Sequence, residues 1–234
     1  MLKNKKVEYI LSRDRYDFYD LCAILDILRG EGGCPWDIEQ THESIRKNFI
    51  EETYEVVEAI DSKDVNLLRE ELGDVMLQVV FHTQMEKEIG NFDINDVTND
   101  VCAKLVHRHP HIFGDVKTEN SAEVLANWEA IKNVEKSRET MYDKLSSVPP
   151  MTPSLMRASK VAKKSGEYKE CTNKELLGKI KSAVDKMSET PENIKENDMG
   201  ELLFLLGALS SKSGIDAEEV LFKKTNAFIE KYKN

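Results

Sequence analysis

Residues 51–74, EETYEVVEAIDSKDVNLLREELGD, carry two carboxylate clusters: Glu51, Glu52 and Glu55, then Glu70, Glu71 and Asp74. A helix turns by about 100° per residue, so acids three apart lie about 60° from one another and can aim at one point. Two successive helices would then each offer a converging pair. Carboxylates packed without a positive partner raise one another's pKa and cost stability unless a cation neutralises them. Such hard oxygen donors suit Mg²⁺, which commonly shares its shell with substrate phosphates. For an acidic cluster on one helix the usual reading is a solvated face; two clusters at this spacing argue against it.

The two helices differ in what surrounds the acids. On the first, Phe49, Ile50, Tyr54, Val56, Val57 and Ile60 form one side, and Glu51, Glu52, Glu55 and Glu58 the other. That is ordinary amphipathicity. On the second, Leu68, Leu72, Val75, Met76, Leu77, Val79, Val80 and Phe81 cover most of the circumference and leave a narrow stripe of Glu71, Asp74 and Gln78. Such a helix is expected to be buried nearly all round, where carboxylates are seldom left without a partner or a metal.

The pattern EExxE followed by ExxD, here Glu51-Glu52-Thr53-Tyr54-Glu55 and Glu71-Leu72-Gly73-Asp74, resembles the signature of the MazG family of nucleoside triphosphate pyrophosphohydrolases. GCPWDIEQTH at 33–42, ELGDVMLQVVFHTQ at 71–84 and HRHPHIFGD at 107–115 extend the likeness, which covers about residues 16–135 and weakens beyond. The resemblance implies an all-α helical bundle of the all-α NTP pyrophosphatase type. It also implies hydrolysis of a nucleoside triphosphate to the monophosphate and pyrophosphate, clearing unwanted nucleotides. Cleaving a phosphoanhydride needs positioning, a metal to absorb charge and an activated water. Glu52, Glu55, Glu71 and Asp74 are the expected ligands of Mg²⁺, with Mn²⁺ as its substitute, and Glu51 is the remaining carboxylate to hold the attacking water. By the resemblance, Lys104 and Arg108 would contact phosphates, and Trp128 with Lys132 would face the nucleoside; the plainer alternative is exposed cations and a core tryptophan. Two rival functions are a narrow-specificity enzyme acting on a deoxyuridine, deoxycytidine or alarmone nucleotide, and a non-catalytic helical dimerisation or regulatory module. The intact acids favour the enzyme.

Phe18, Leu21, Cys22, Leu25 and Leu28 recur at helical spacing and stop at Gly30. Residues 30–37 read as a loop punctuated by Gly32, Gly33 and Pro35; Trp36 there either staples the bundle or joins a base pocket. Thr41 with Ser44 starts the first acid helix, which runs to about Asp61, and Asp64 caps the second after a short connection. So short a link makes the two helices antiparallel neighbours with their acids close together. The second ends at Glu88 before Gly90; Asp93 opens a third through Val106, and His109-Pro110-His111 breaks it. His107, His109 and His111 lie at a helix end and loop, alternating with Arg108 and Pro110, rather than along one continuous helix, so a structural or phosphate-side role is expected. His82 reads as a satisfied core histidine. The Glu-x-x-His of an oxygen-activating di-iron bundle is absent where the acid helices would need it, which disfavours that reading.

With 33 basic against 43 acidic residues the formal charge is −10, which argues against nucleic acid as a partner. Cys22, Cys34, Cys102 and Cys171 form no CxxC pair, so neither zinc nor a disulfide framework is suggested and a reducing cytoplasm is the simplest setting. The first fifteen residues lack an apolar core, so no secretory signal is expected, and the apolar run at 202–209 is too short for a bilayer. The expected organisation is a catalytic MazG-like domain at 1–138, a proline-rich linker at 139–153 and a degenerate second MazG-like domain at 154–234. In the last, Asp198 and Glu201 stand where ExxD is expected, while Lys181, Ser182 and Asp185 replace the acidic triplet. The apolar girth of the second acid helix exceeds what one half can cover, which predicts a homodimer.

Overall fold

The computed structural model describes residues 2–136 and 140–233, and among them the chain forms thirteen α-helices and no strand. The all-α reading holds. In order the helices are α1 (Leu2–Leu11), α2 (Phe18–Arg29), α3 (Pro35–Glu39), α4 (His42–Ser62), α5 (Val65–Glu88), α6 (Ile94–Arg108), α7 (Pro110–Phe113), α8 (Ser121–Glu135), α9 (Met141–Ser146), α10 (Ser154–Ser165), α11 (Asn173–Ser188), α12 (Glu196–Ser213) and α13 (Ala217–Glu230). Contacts group them into two compact units, Met1–Lys117 and Thr118–Asn234. The domain boundary expected at 138–139 lies outside the described residues. None of the described helices is long and apolar enough to cross a membrane.

Most helix starts follow from capping chemistry. Thr41 and Ser44 close a reciprocal capping box on α4, and Asp64 accepts hydrogen bonds from the Asn66 and Leu67 amides to start α5. Two readings need amendment. Residues 30–37 are not loop throughout, because Pro35 stands at the first position of α3, where its missing N–H costs nothing. Within the stretch read as a spacer, Thr140 and Asp143 box the start of α9, which packs on α10, and Val148 is buried.

In the first unit, α2 and the α4–α5 hairpin enclose Leu25, Ile45, Val80, Phe81 and Met85. Arg29 ties the pieces that lead into α4. Its guanidinium lies 5.3 Å from the Phe81 ring centroid and makes two bonds to Glu88, at 2.8 and 2.9 Å. It also donates to the carbonyls of Asp37 and Gln40. Beside it the chain turns tightly: a Cβ on Gly33 would fall 2.1 Å from the Leu28 carbonyl oxygen, so only glycine fits there. In the second unit, α10, α11 and α12 pack around Ala162, Leu176 and Ala208. There α12 approaches α10 so closely that a Cβ on Gly207 would meet Ala158 Cβ at 2.8 Å.

Asp20, only 2 % exposed, holds the entry to α2: it accepts from the Asp17 amide at 2.9 Å and from Arg13 Nε at 3.1 Å. The Asp17 amide bond, followed by the Arg13 charge, holds its carboxyl below the usual range despite burial. A depressed carboxylate contributes stability that is present above its unfolded pKa and lost as pH falls through the folded value. Asp20→Asn should therefore lower the melting temperature at neutral pH and flatten its fall below about pH 4, as thermal denaturation between pH 2 and 7 would register.

Candidate functional site

The α4–α5 hairpin turns on two residues. Lys63 adopts a left-handed φ of 58°, a conformation disfavoured for a residue with a Cβ, and Asp64 follows as the cap. This link sets the helices side by side. One oxygen each from Glu52, Glu55 and Glu71 then lie within 4.8 Å of one another. Glu71 is 9 % exposed, Glu52 half-buried and Glu55 exposed at the rim.

Burial first, and then the charges of Asp74 and Glu55, push the Glu52 carboxyl above the usual range. Burial followed by Glu55 and Asp74 does the same to Glu71. Asp74 thus belongs to this electrostatic group, although the close trio is the other three. Among the described residues no lysine or arginine is ion-paired with any of the four. Four hard oxygen donors, with the Glu52 and Glu71 carboxyls raised above their usual range and no lysine or arginine paired to the group, fit a divalent metal such as Mg²⁺.

The hairpin faces differ from the helical-wheel reading. The stripe of Glu71 and Gln78 is buried, whereas Leu72 and Met76, expected in the core, are exposed. On α4, Ile50, Tyr54, Val57 and Ile60 are likewise exposed. Glu52, Glu55 and Glu71 converge between the two helices, and part of each helix's apolar surface stays outward while Ile45, Val80, Phe81 and Met85 enter the core, so α5 is not buried all round.

The remaining expected residues stand on α4, α6 and α8. Glu51 is not among the close trio and pairs with Lys47 at 2.8 Å. Lys104 is exposed on α6, while Arg108, at the end of that helix, is buried. Trp128 and Lys132 sit on α8 in the second unit, where the Lys132 ammonium lies 4.2 Å from the indole centroid. His109 Nδ1 donates to the Leu105 carbonyl at 2.6 Å, a structural bond at the end of α6.

A polar chain between α4 and α5 had no clear sequence signal. The Glu86 carboxylate only accepts, so His42 Nε2 donates to it at 2.6 Å, and the Nδ1 atoms of His42 and His82 share a hydrogen bond at 2.7 Å. Asn91 completes the chain by donating to Glu86 at 2.7 Å. Burial, then His42, lowers the His82 pKa, in keeping with a neutral imidazole. In the second unit, Lys186 on α11 reaches Asp198 on α12 at 2.6 Å.

Residues 40–113 match the MazG nucleotide pyrophosphohydrolase domain. The chain is 40% identical over 222 residues to a nucleoside triphosphate pyrophosphohydrolase of Escherichia coli (strain K12), covering 91% of this chain and 84% of that protein. It is 37% identical over 227 residues to the nucleoside triphosphate pyrophosphohydrolase/pyrophosphatase MazG of Thermotoga maritima, covering 92% and 84%. An uncharacterized Bacillus subtilis protein, YabN, is 44% identical over 162 residues, 69% of this chain and 32% of that protein.

Glu71→Gln removes one charge from a group that repels itself. The variant should melt higher than the parent in chelator and lose any rise that a divalent cation gives the parent, which paired thermal denaturation would show.

Proposed function

The chain belongs to the MazG nucleotide pyrophosphohydrolase family, and from that premise we propose that its α4–α5 hairpin is a Mg²⁺-dependent centre for nucleoside triphosphate hydrolysis. The protein is a hydrolase of phosphoanhydride bonds, as its relatives' names and its domain match support. The observation that carries the reading of the centre is the convergence of Glu52, Glu55 and Glu71 within 4.8 Å. Asp74 adds a fourth carboxylate beside them.

In this reading Glu52, Glu55, Glu71 and Asp74 hold the ion, with Mn²⁺ able to replace it. When bound, the ion neutralises phosphate charge and lowers the cost of the charge that develops on the leaving group. Water attacks the α-phosphorus, the bond from that phosphorus to the bridging oxygen breaks, and pyrophosphate leaves with the bonding pair. The attacking water gives up a proton as its new bond forms. Glu51, next to Glu52 on α4, is the carboxylate assigned to orient that water and accept its proton. Lys104 and Arg108 are assigned to the phosphates, and Trp128 with Lys132 to the nucleoside. The expected cellular role is clearance of unwanted nucleotides.

The apolar sides of α4 and α5 support a second part of the reading, that the chain is a homodimer. Tyr54 is 60% exposed and Leu72 49% exposed, with Ile50, Val57, Ile60 and Met76 exposed on the same two helices. Contiguous apolar surface of this kind marks an association site, and a second copy would cover it with the same self-complementary face.

Two measurements test this. Purified protein with Mg²⁺ should convert a nucleoside triphosphate into monophosphate and pyrophosphate. Glu55→Gln or Asp74→Asn should cut turnover by more than the roughly 10–100-fold typical of losing a mere supporting partner of a metal ligand, with the helical circular dichroism unchanged. Inorganic phosphate as the product would rule out the assigned chemistry. Light scattering at micromolar concentration should give about twice the 26.8 kDa chain mass, and Leu72→Asp should shift it toward the monomer; a monomeric parent would sink the dimer.

A further inference from the structure

Gln78 follows Glu71 by seven residues and Asp74 by four, which places all three along one face of α5. Its side chain is 7% exposed. Among the described residues its Oε1 is the buried side-chain polar atom that no hydrogen-bond donor reaches. Buried acceptors in folded proteins are nearly always met by the protein, by water or by a bound group. Its neighbours along the stripe offer no hydrogen, since ionised carboxylates only accept. The flanking Leu77 and Val79 are apolar.

We infer that Gln78 is a positioning residue of the metal centre, its Oε1 accepting a hydrogen bond from a water held on the ion. This rests on reading the acid hairpin as a Mg²⁺ site. Mg²⁺ dehydrates reluctantly and keeps several waters beside its carboxylate ligands, and those waters need acceptors on the side away from the ion. A glutamine one turn beyond Asp74 offers a neutral acceptor there. A further carboxylate would add to the repulsion within the group. Groups that orient ligands from behind commonly change metal affinity by 10–100-fold when removed.

The test is Mn²⁺ titration of the full chain without nucleotide, following the free ion by electron paramagnetic resonance, together with thermal denaturation in chelator. Gln78→Met should weaken Mn²⁺ affinity by about 10–100-fold and melt in chelator no lower than the parent, since an unmet acceptor has gone. A purely structural glutamine gives the opposite pair, a lower melting temperature with unchanged affinity, and that result overturns the inference. Gln78→Glu keeps the acceptor oxygen, so it should retain parental affinity while melting lower in chelator. If Gln78→Met does not fold, Gln78→Glu decides, and a tenfold loss of affinity in it overturns the inference. If the parent and Asp74→Asn bind Mn²⁺ alike, the metal reading of the hairpin itself fails and takes this role with it. Parental binding that depends on Asp74 but is indifferent to Gln78→Met overturns the role of Gln78 alone.

Discussion

Mutual repulsion among Glu52, Glu55, Glu71 and Asp74 is the constraint on which the first unit turns. Like charges a few ångströms apart in partly dehydrated surroundings are tolerated only if something else fixes the backbone that carries them. Here that work falls to the ends of the helices. The two-residue link at Lys63 and Asp64 locks the near end of the hairpin, and the His42–His82–Glu86–Asn91 chain ties the far end. Arg29 then braces the segment that feeds α4 against Glu88 and Phe81. Each of these ties lies outside the acid group, so the group can be held without being neutralised by the fold.

That arrangement also explains which face of the hairpin points where. Val80, Phe81 and Met85 of α5 join the core with Leu25 of α2 and Ile45 of α4, Glu71 is buried beside Glu52, and Tyr54, Val57, Leu72 and Met76 stay outside. Burial of apolar area normally decides the rotation of an amphipathic helix. For this hairpin part of the apolar surface is presented outward, where a protein surface can cover it.

Helix limits were legible because they rest on local chemistry. Thr41 with Ser44, Asp64, Asp93 and Gly30 mark helix ends through bonds or backbone geometry confined to a few neighbouring residues. The acid trio was legible for the same reason: helical spacing and a short link leave little freedom. The rotation of α5 was not, because its wheel is apolar on almost every side and periodicity then names no inward face. Arg29 was equally hidden, since its partners Asp37, Gln40 and Glu88 are brought to it only by tertiary packing. Residues 139–153 misled through composition: the proline-rich stretch includes a capped helix docked on α10.

The Lys186–Asp198 contact at 2.6 Å closes the α11–α12 pair with a cation that belongs to the chain itself. An ammonium on a covalent stem is present in fixed stoichiometry and cannot be stripped away by a chelator, whereas an ion held by the four carboxylates, as proposed for the first unit, would exchange with the surrounding pool. The two helical pairs therefore stand in different relations to their surroundings. Under the proposed metal reading, scarcity of divalent cations would be felt by the acid hairpin of the first unit, while the lysine-closed pair of the second would go through the same scarcity unchanged.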